Sequence, residues 1–191
     1  IGWRGASRYY DPKFKEAFKL ECRAFKKVRE QFGLKNVVAL VPFCRTPEEG
    51  QKVLDIMKEE GLEKGVDGFK VYVMCELPAN VLRAYEFLDI FDVFSIGSND
   101  LAQLTLGLDR DSGVVAHISN ENDPAVKTLV AMAIKKCRER GKYIGFCGQA
   151  PSDYPDFTRF LVSNNIEAIS LNPDSIIPMI LAISEEEKKQ N

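Results

Sequence analysis

The stretch KVYVMCELPANVLRAYEFLDIFDVFSIGSND, residues 70–100, contains two apolar runs on either side of a helical pattern. The runs within residues 68–78 and 92–97 are short and continuously apolar, and they predict strands. Residues 80–91, which lie between them, predict a helix. A strand, a helix and a second strand in this order are typical of two parallel strands joined by a helical crossover.

The same alternation continues in both directions from this stretch. Further strands are predicted at residues 36–43, 143–147 and 167–173. Further helices are predicted at about residues 12–32, 46–61, 123–141, 153–165 and 174–189. Apolar strands separated by helices favour an α/β fold, in which helices cover a parallel sheet.

Two architectures fit this pattern, a doubly wound open sheet and a (β/α)8 TIM-type barrel. Polar or reactive residues follow the predicted strands, among them Glu76, Asp100, Cys147 and Asn172. Both folds place chemistry at the carboxyl ends of parallel strands, but a barrel brings the ends of many strands to one point. A barrel is therefore favoured. Because the predicted strands are too few to close it, we expect a partial barrel that lacks the first strands, in one domain over residues 1–191.

The composition argues against several classes of protein. The chain has 191 residues, 45% of them hydrophobic, which is enough for one sizeable core. Its net charge of −2 gives no reason to expect a nucleic-acid partner. No apolar stretch approaches the ~18 residues of a membrane span. The N-terminus has neither Met nor the hydrophobic region of a signal peptide, so we expect a cut or processed chain.

The cysteines indicate a reduced environment. Five are present without CxxC spacing, which argues against a disulfide framework or a zinc site and favours a cytoplasmic protein. Most are expected to be small buried hydrophobes. Cys147 differs, because in GFCGQAPSD (145–153) it follows a short strand and stands between two glycines. A thiol there could serve as a proton donor or nucleophile if its surroundings tune its pKa. The only histidine, His117, lies in a predicted loop or short helix and is not expected to be its base.

Glu76 and Asp100 end two successive predicted strands. Neighbouring strands lie about 4.8 Å apart, so both carboxylates could reach one hard cation such as Mg²⁺ or Mn²⁺. The alternative is that Glu76 is a charge at the rim and Asp100 caps the following helix.

The residues around Asp100 allow two interpretations. Gly97, Ser98 and Asn99 could form an ordinary turn, or their N–H groups and amide could bind an anionic ligand. Arg110 in GLDRDSG and Arg4 in GWRG could be salt-bridged loop residues, or they could bind a carboxylate or phosphate through their planar forks.

Five motifs together resemble a known family. GWRGASRY, PFCRTPEE, MCELPANV, FSIGSNDLAQLTLGLDRDSG and GFCGQAPSD are similar, in order, to the successive motifs of the phosphoenolpyruvate (PEP)-utilising enzymes. They are most similar to the branch that makes PEP from ATP, pyruvate and water. The resemblance covers essentially the whole chain, and the FSIGSND motif is highly specific.

The resemblance implies a (β/α)8 barrel, of which this chain spans about the end of the third strand to the eighth. It implies magnesium (or manganese) ligation by Glu76 and Asp100, and exchange of a proton between Cys147 and the substrate's methyl carbon. It also implies contact with pyruvate or PEP for a set of polar residues and one glycine: Arg4, Gly97, Ser98, Asn99, Asp100 and Arg110.

The family's ATP-grasp domain and its mobile phosphohistidine domain have no counterpart in this sequence. We therefore expect this chain alone to be inactive, with the phosphohistidine domain and further copies of the chain as partners. Two departures from the family pattern, Ala102 in place of Thr and ISNENDPAV in place of FDERNPAV, are expected to lie outside the residues that contact substrate and metal. Two alternatives remain: a non-catalytic assembly subunit, and the barrel of a pyruvate, phosphate dikinase or of phosphotransferase-system enzyme I.

Overall fold

The computed structural model describes residues 1–190 and contains one parallel sheet. Its strands are β1 Ala39–Val41, β2 Val71–Cys75, β3 Val93–Gly97, β4 Tyr143–Cys147 and β5 Ala168–Ile169. They pair in the order β1-β2-β3-β4-β5, and every pair is parallel. The predicted α/β fold is confirmed. A doubly wound sheet reverses its strand order at a switch point, and the described part of the chain contains no such reversal.

The helices surround this sheet in sequence order. Their bounds are α1 Ala6–Tyr9, α2 Lys15–Glu30, α3 Pro47–Glu59, α4 Pro78–Leu82, α5 Ala84–Ile90, α6 Ser98–Leu106, α7 Pro124–Glu139, α8 Ala150–Asp153, α9 Pro155–Ser163 and α10 Ile176–Gln190. None of them is both long and apolar enough to cross a membrane. The connection between α6 and α7, residues 107–123, is the longest of those between the helices and strands named above. It contains a turn of 3-10 helix, Ala116–Ile118, which includes His117.

Helices cover one face of the sheet. Alternate residues of β2, which include Val71, Val73 and Cys75, are buried in the same core as helix residues such as Phe87 and Ile134. Because successive side chains of a strand point to opposite faces, this pattern places the helices on one side.

The opposite face is less covered. The residues of β2 that alternate with the core positions, Tyr72 and Met74, are partly exposed, as are Ser95 of β3 and Gly145 of β4. An open hollow of about 370 Å³ lies over this face. A parallel sheet with both faces covered would have no such hollow.

Two helices begin as the sequence predicts. The Thr46 side chain accepts a hydrogen bond from the Glu49 N–H, and Asp123 accepts one from Ala125. A proline occupies the first turn in each case, where its missing N–H is not needed.

Other boundaries differ from the prediction. The edge strands β1 and β5 are shorter than the apolar runs 36–43 and 167–173, because an edge strand has a partner on one side only. The predicted helix 153–165 corresponds to α9, which begins at Pro155, because a proline disfavours a helical residue before it. A separate short helix, α8, precedes it and ends at Asp153.

Candidate functional site

The carboxyl ends of β2, β3 and β4 converge at one edge of the sheet. Gly97 and Cys147 are partners in the register of β3 and β4, and Glu76 follows the last residue of β2. The first turn of α6 begins directly after Gly97 with Ser98 and extends the cluster to Asp100. The structure thus brings together polar residues that are far apart in the sequence.

Asp100 is buried and paired with Arg4. The Nη1 and Nη2 atoms of Arg4 donate to the Oδ1 and Oδ2 atoms of Asp100 at 3.0 and 3.2 Å, which is a bidentate salt bridge. The guanidinium also stacks on the ring of Phe43, 4.2 Å from its centroid. Asp100 lies in the first turn of α6, where the helix dipole favours a negative charge. Arg4 is therefore held over the carboxylate that the sequence predicts as a metal ligand.

Glu76 is buried beside Asp100. Burial is the largest cause of a rise in its pKa to about 7, and the negative charge of Asp100 adds to this rise. The Phe43 N–H, which donates to Glu76 Oε1 at 2.6 Å, and the charge of Arg4 act in the opposite direction. Phe43 has a φ of +44°, a conformation that costs energy for a residue with a side chain. The strained backbone thus supplies the hydrogen bond to this buried carboxyl group.

Two glycines allow the close packing of this region. A Cβ atom on Gly97 would lie 3.1 Å from both Cβ and Oε2 of Glu76. A Cβ atom on Gly148 would lie only 1.9 Å from the Ser98 hydroxyl oxygen, a distance that no real contact permits. Glycine is needed at both positions because a side chain would lack space. At Gly97, whose φ is −98°, the backbone itself is not left-handed and would accept other residues.

A polar network connects the first turn of α6 to the following loop. The Ser98 hydroxyl donates to Glu121 Oε2. With the Asn99 amide oriented to satisfy both of its ends, Nδ2 donates to Glu121 Oε1 at 2.8 Å, and Oδ1 accepts from Arg110 Nη1 at 3.3 Å. The backbone N–H of Arg110 donates to Gln103 Oε1 at 3.1 Å. The loop that carries Arg110 is therefore fastened to α6 at several points.

Cys147 differs from the other cysteines. All five are free, and Cys147 is half-buried while the rest are buried, as expected. Burial raises the pKa of Cys44 and of Cys137, each to about 12, so neither is a thiolate near neutral pH. Cys147 Sγ accepts a hydrogen bond from Ser95 Oγ at 3.3 Å and lies 3.5 Å from Met74 Sδ. Its side chain lies on the less covered face of the sheet, the face of Gly145 two residues earlier on β4.

A hollow of about 540 Å³ lies beside the Arg4–Asp100 pair. Arg4, Asp100 and Arg110 line one part of it, together with Gln103 and Leu104. The cavity is lined by two arginines and by three aspartates, Asp100, Asp109 and Asp111, so groups of both charges face it. The two guanidinium groups are the ones that could bind a small anion.

The residues suited to hold a metal are Glu76 and Asp100. Their carboxylate oxygens are the donors that a hard cation prefers, and a bound cation would relieve the repulsion that raises the pKa of Glu76. Among residues 1–190 no group of three or more His, Cys, Asp or Glu side chains is placed to hold a metal ion. Two carboxylates would leave the other positions of a magnesium-like ion to water or to substrate oxygens.

The sequence did not reveal several neighbours of the site. Glu121 lies in the segment ISNENDPAV, which the sequence placed outside the residues that contact substrate, yet it contacts Ser98 and Asn99. The sequence predicts Phe43 and Ser95 only as parts of apolar strands, and it does not predict their hydrogen bonds to Glu76 and Cys147. The signal that could have found Ser95 is its position two residues before Gly97, which places both on the same face of β3.

Comparison with known proteins gives one consistent result. Residues 1–188 match the family model described as PEP-utilising enzyme, PEP-binding domain. A phosphoenolpyruvate synthase of Synechocystis sp. is 59% identical over 188 residues, 98% of this chain and 23% of that protein. Proteins of the same name from Aquifex aeolicus (99% of this chain, 22% of that protein) and Escherichia coli K12 (98% and 24%) are 59% and 47% identical. The chain thus spans less than a quarter of the length of these relatives.

Proposed function

Since the chain belongs to the PEP-utilising enzymes, as a PEP-binding domain over residues 1–188, we propose that it is the C-terminal, substrate-binding part of a phosphoenolpyruvate synthase. The complete enzyme converts ATP, pyruvate and water to PEP, AMP and phosphate, and a phosphohistidine donates the phosphoryl group to the enolate of pyruvate. One observation carries the proposal: the half-buried thiol of Cys147 lies at the same carboxyl edge of the sheet as the buried cluster of Glu76, Asp100 and Arg4.

We also infer that the sheet is part of a (β/α)8 barrel. The consecutive parallel order of β1 to β5 and the helices on one face support this inference. In a complete barrel the less covered face, with Tyr72, Met74 and Ser95, is the interior. Residues 1–191 would then run from about the end of the third barrel strand to the eighth.

The substrate is an anion, and the site provides groups that bind and orient it. Arg4 and Arg110 neutralise the carboxylate and phosphoryl charges, since a guanidinium can bind either through two N–H groups. The Asn99 amide and the N–H groups at the start of α6 donate to the same oxygens. Close packing at Gly97 keeps these donors near Glu76.

Cys147 moves the proton. Pyruvate must lose a methyl proton before its oxygen can accept a phosphoryl group, and the thiolate takes that proton; in the reverse direction the thiol returns it to the methylene carbon of PEP. The Ser95 hydroxyl, which donates to Sγ, helps to orient the sulfur that accepts the proton.

Glu76 and Asp100 hold Mg²⁺ or Mn²⁺ in this proposal. A divalent ion supplies electrostatic stabilisation of the negative charge that develops on the enolate. Asp100 is paired with Arg4, so an ion held by Glu76 and Asp100 would lie beside the guanidinium, which would bind the phosphoryl group.

The partners are the other parts of the same enzyme. The chain spans 22 to 24% of its relatives, and we propose that the ATP-grasp and phosphohistidine domains occupy the remainder. We further propose that the enzyme is cytoplasmic, since the cysteines are free. We also propose that it is a homo-oligomer, because the open edges of the sheet could pair with another copy.

The test uses the complete enzyme and its Cys147→Ala variant. We expect the wild type to form AMP, phosphate and PEP from ATP and pyruvate without added phosphate. We expect Cys147→Ala to lose exchange of the pyruvate methyl protons with ²H₂O by about 10² to 10⁴-fold, followed by NMR. Cys22→Ala, which removes a buried thiol of α2, should exchange at the wild-type rate.

The other outcomes are equally informative. A requirement for inorganic phosphate as cosubstrate would indicate a dikinase in place of a synthase. Absence of both reactions from the complete wild-type protein would favour a non-catalytic relative. Unchanged exchange in Cys147→Ala would remove the thiol from its proposed role.

A further inference from the structure

Glu121 lies where the loop after α6 returns to the site. Its carboxylate accepts from the Ser98 hydroxyl and from Asn99 Nδ2, which lies 2.8 Å from Oε1 and 3.2 Å from Oε2. On the other end of the same amide, Oδ1 accepts from Arg110 Nη1 at 3.3 Å. Asn99 is therefore held between one negative and one positive side chain.

This arrangement determines which end of the amide faces which neighbour. A carboxylate can only accept hydrogen bonds and a guanidinium can only donate them, whereas an amide has one end of each kind. Reversing the Asn99 amide would place Oδ1 against the carboxylate of Glu121 and Nδ2 against Arg110, and both contacts would be repulsive. Only one orientation satisfies all three groups: Nδ2 lies against the carboxylate of Glu121 and Oδ1 lies against the guanidinium of Arg110.

Glu121 itself is unsuited to contact the substrate. Pyruvate and PEP are anions, and a carboxylate beside them would repel their oxygens. Ser98 is fully buried, so its hydroxyl is committed to Glu121 and cannot turn toward a ligand without losing that bond. Any effect of Glu121 on the reaction must therefore pass through the groups that it holds.

We propose that Glu121 is a positioning residue, which fixes the orientation of the Asn99 amide and, through Oδ1 of that amide, the guanidinium of Arg110 that binds the substrate anion. It also fastens the loop of Arg110 to the start of α6. The inference rests on the proposed function for the identity of the anion. The same contacts hold whatever the anion is.

The kinetic test compares variants of the complete enzyme. We expect Glu121→Ala to lower kcat/KM for pyruvate by about 10 to 100-fold, the range for loss of hydrogen bonds to a charged group, with the KM for ATP unchanged. Glu121→Gln should lose less, about 3 to 10-fold, because its amide can still accept from Asn99 but no longer dictates the orientation. His117→Ala, an exposed change in the same loop, should stay within about 2-fold of the wild type.

A double variant tests whether Glu121 acts through Asn99. Because the two residues act as one unit, Glu121→Ala added to Asn99→Ala should cost less than about 2-fold beyond Asn99→Ala alone. Losses that multiply in the double variant would overturn the proposal, as would a Glu121→Ala variant with wild-type kcat/KM.

A second measurement is independent of enzymatic activity. In protein labelled with ¹⁵N-asparagine, the side-chain amide signals of Asn99 are identified by their loss in Asn99→Asp. We expect these signals to shift and to exchange faster with solvent in Glu121→Ala, and to be unchanged in His117→Ala. Unmoved Asn99 signals in Glu121→Ala would overturn the proposal even in an inactive protein, whereas shifted signals without any synthase activity would contradict only the proposed function.

Discussion

Glu76 combines two features that oppose its ionisation, burial and a second carboxylate. Its pKa rises from an ordinary value of 4.5 to about 7 although the Phe43 N–H and Arg4 favour the charged form. The folded-state pKa is above the unfolded value, so the unfolded chain releases this proton first as the pH rises. The free energy of unfolding therefore falls between about pH 4.5 and pH 7 and stays low above pH 7.

Replacing Glu76 with Gln removes this cost. We expect Glu76→Gln to be more stable than the wild type at pH 8 without divalent ions, by about 1 to 3 kcal/mol, and to show no gain at pH 4.5. We also expect Mg²⁺ or Mn²⁺ to raise the melting temperature of the wild type but not of the variant. Calorimetry of the complete enzyme, followed through the transition of this domain, measures both effects.

An exposed carboxylate provides the control for Glu76→Gln. Asp174→Asn, in the turn before α10, should change neither the pH dependence nor the response to the metal ion. A Glu76→Gln variant that is less stable than the wild type at pH 8, or that still responds to Mg²⁺, contradicts the assignment.

At the scale of secondary structure, the end of β4 and the start of α6 are in contact where Gly148 faces Ser98. The contact leaves no room for a side chain, because a Cβ on Gly148 would meet Ser98 Oγ at 1.9 Å. Three residues earlier on the same strand, a Cβ on Gly145 would meet Ala168 Cβ at 3.6 Å, an ordinary contact. Gly148 therefore has no space for a Cβ atom, whereas Gly145 has enough.

This difference predicts opposite results for two identical substitutions. Gly148→Ala should displace the Ser98 hydroxyl from Glu121 and lower kcat/KM for pyruvate by about 10-fold or more. Gly145→Ala should retain activity and change stability by less than about 1 kcal/mol. Steady-state kinetics and thermal unfolding of both variants check the pair, and equal activities would show that the contact at Gly148 is unimportant.

The boundaries of helices were predictable where their cause is local. Thr46 and Asp123 cap α3 and α7, and both caps are readable from the sequence. The predicted helix 80–91 is instead two helices that meet at Arg83. The ammonium of Lys136, on α7, donates to the carbonyls of Val81 and Leu82 at 2.9 and 3.1 Å, the groups that a continuous helix would use itself. This interruption depends on a residue more than fifty positions away, so local patterns do not predict it.

The candidate site shows the same limit. Glu76, Asp100 and Cys147 were predictable because each follows an apolar strand, and parallel strands end at one edge. Glu121 was not, because its position depends on the path of the connection from Gly107 to Asp123. Irregular connections have no periodicity from which a side chain's direction could be read.

For the whole molecule, the less covered face of the sheet is the main consequence of the topology. Tyr72, Ser95 and Gly145 line the hollow over this face, and Tyr143 lies at its border with 45% of its surface exposed. Apolar surface of this kind normally packs against another element. In the proposed barrel, the remaining strands would enclose it.

The chain expressed as residues 1–191 alone should therefore self-associate and bind a hydrophobic dye. We expect Tyr143→Lys to reduce both, because it places a charge on the face. Tyr154→Lys is the matched control: its side chain is equally exposed, at 44%, but it lies between α8 and α9. Sedimentation velocity and dye fluorescence measure the outcome, and a monomer without dye binding would contradict the prediction.

The strand order also has a consequence for how the chain folds during synthesis. Each strand pairs with the one that precedes it, so every newly made unit can add to an edge that already exists. A nascent chain that ends before Tyr143 already contains the strands that place Glu76 next to Asp100. The thiol of Cys147 joins them only when β4 pairs with β3. The two carboxylates thus come together first, and Cys147, the residue proposed to transfer the proton, is added by the next strand to leave the ribosome.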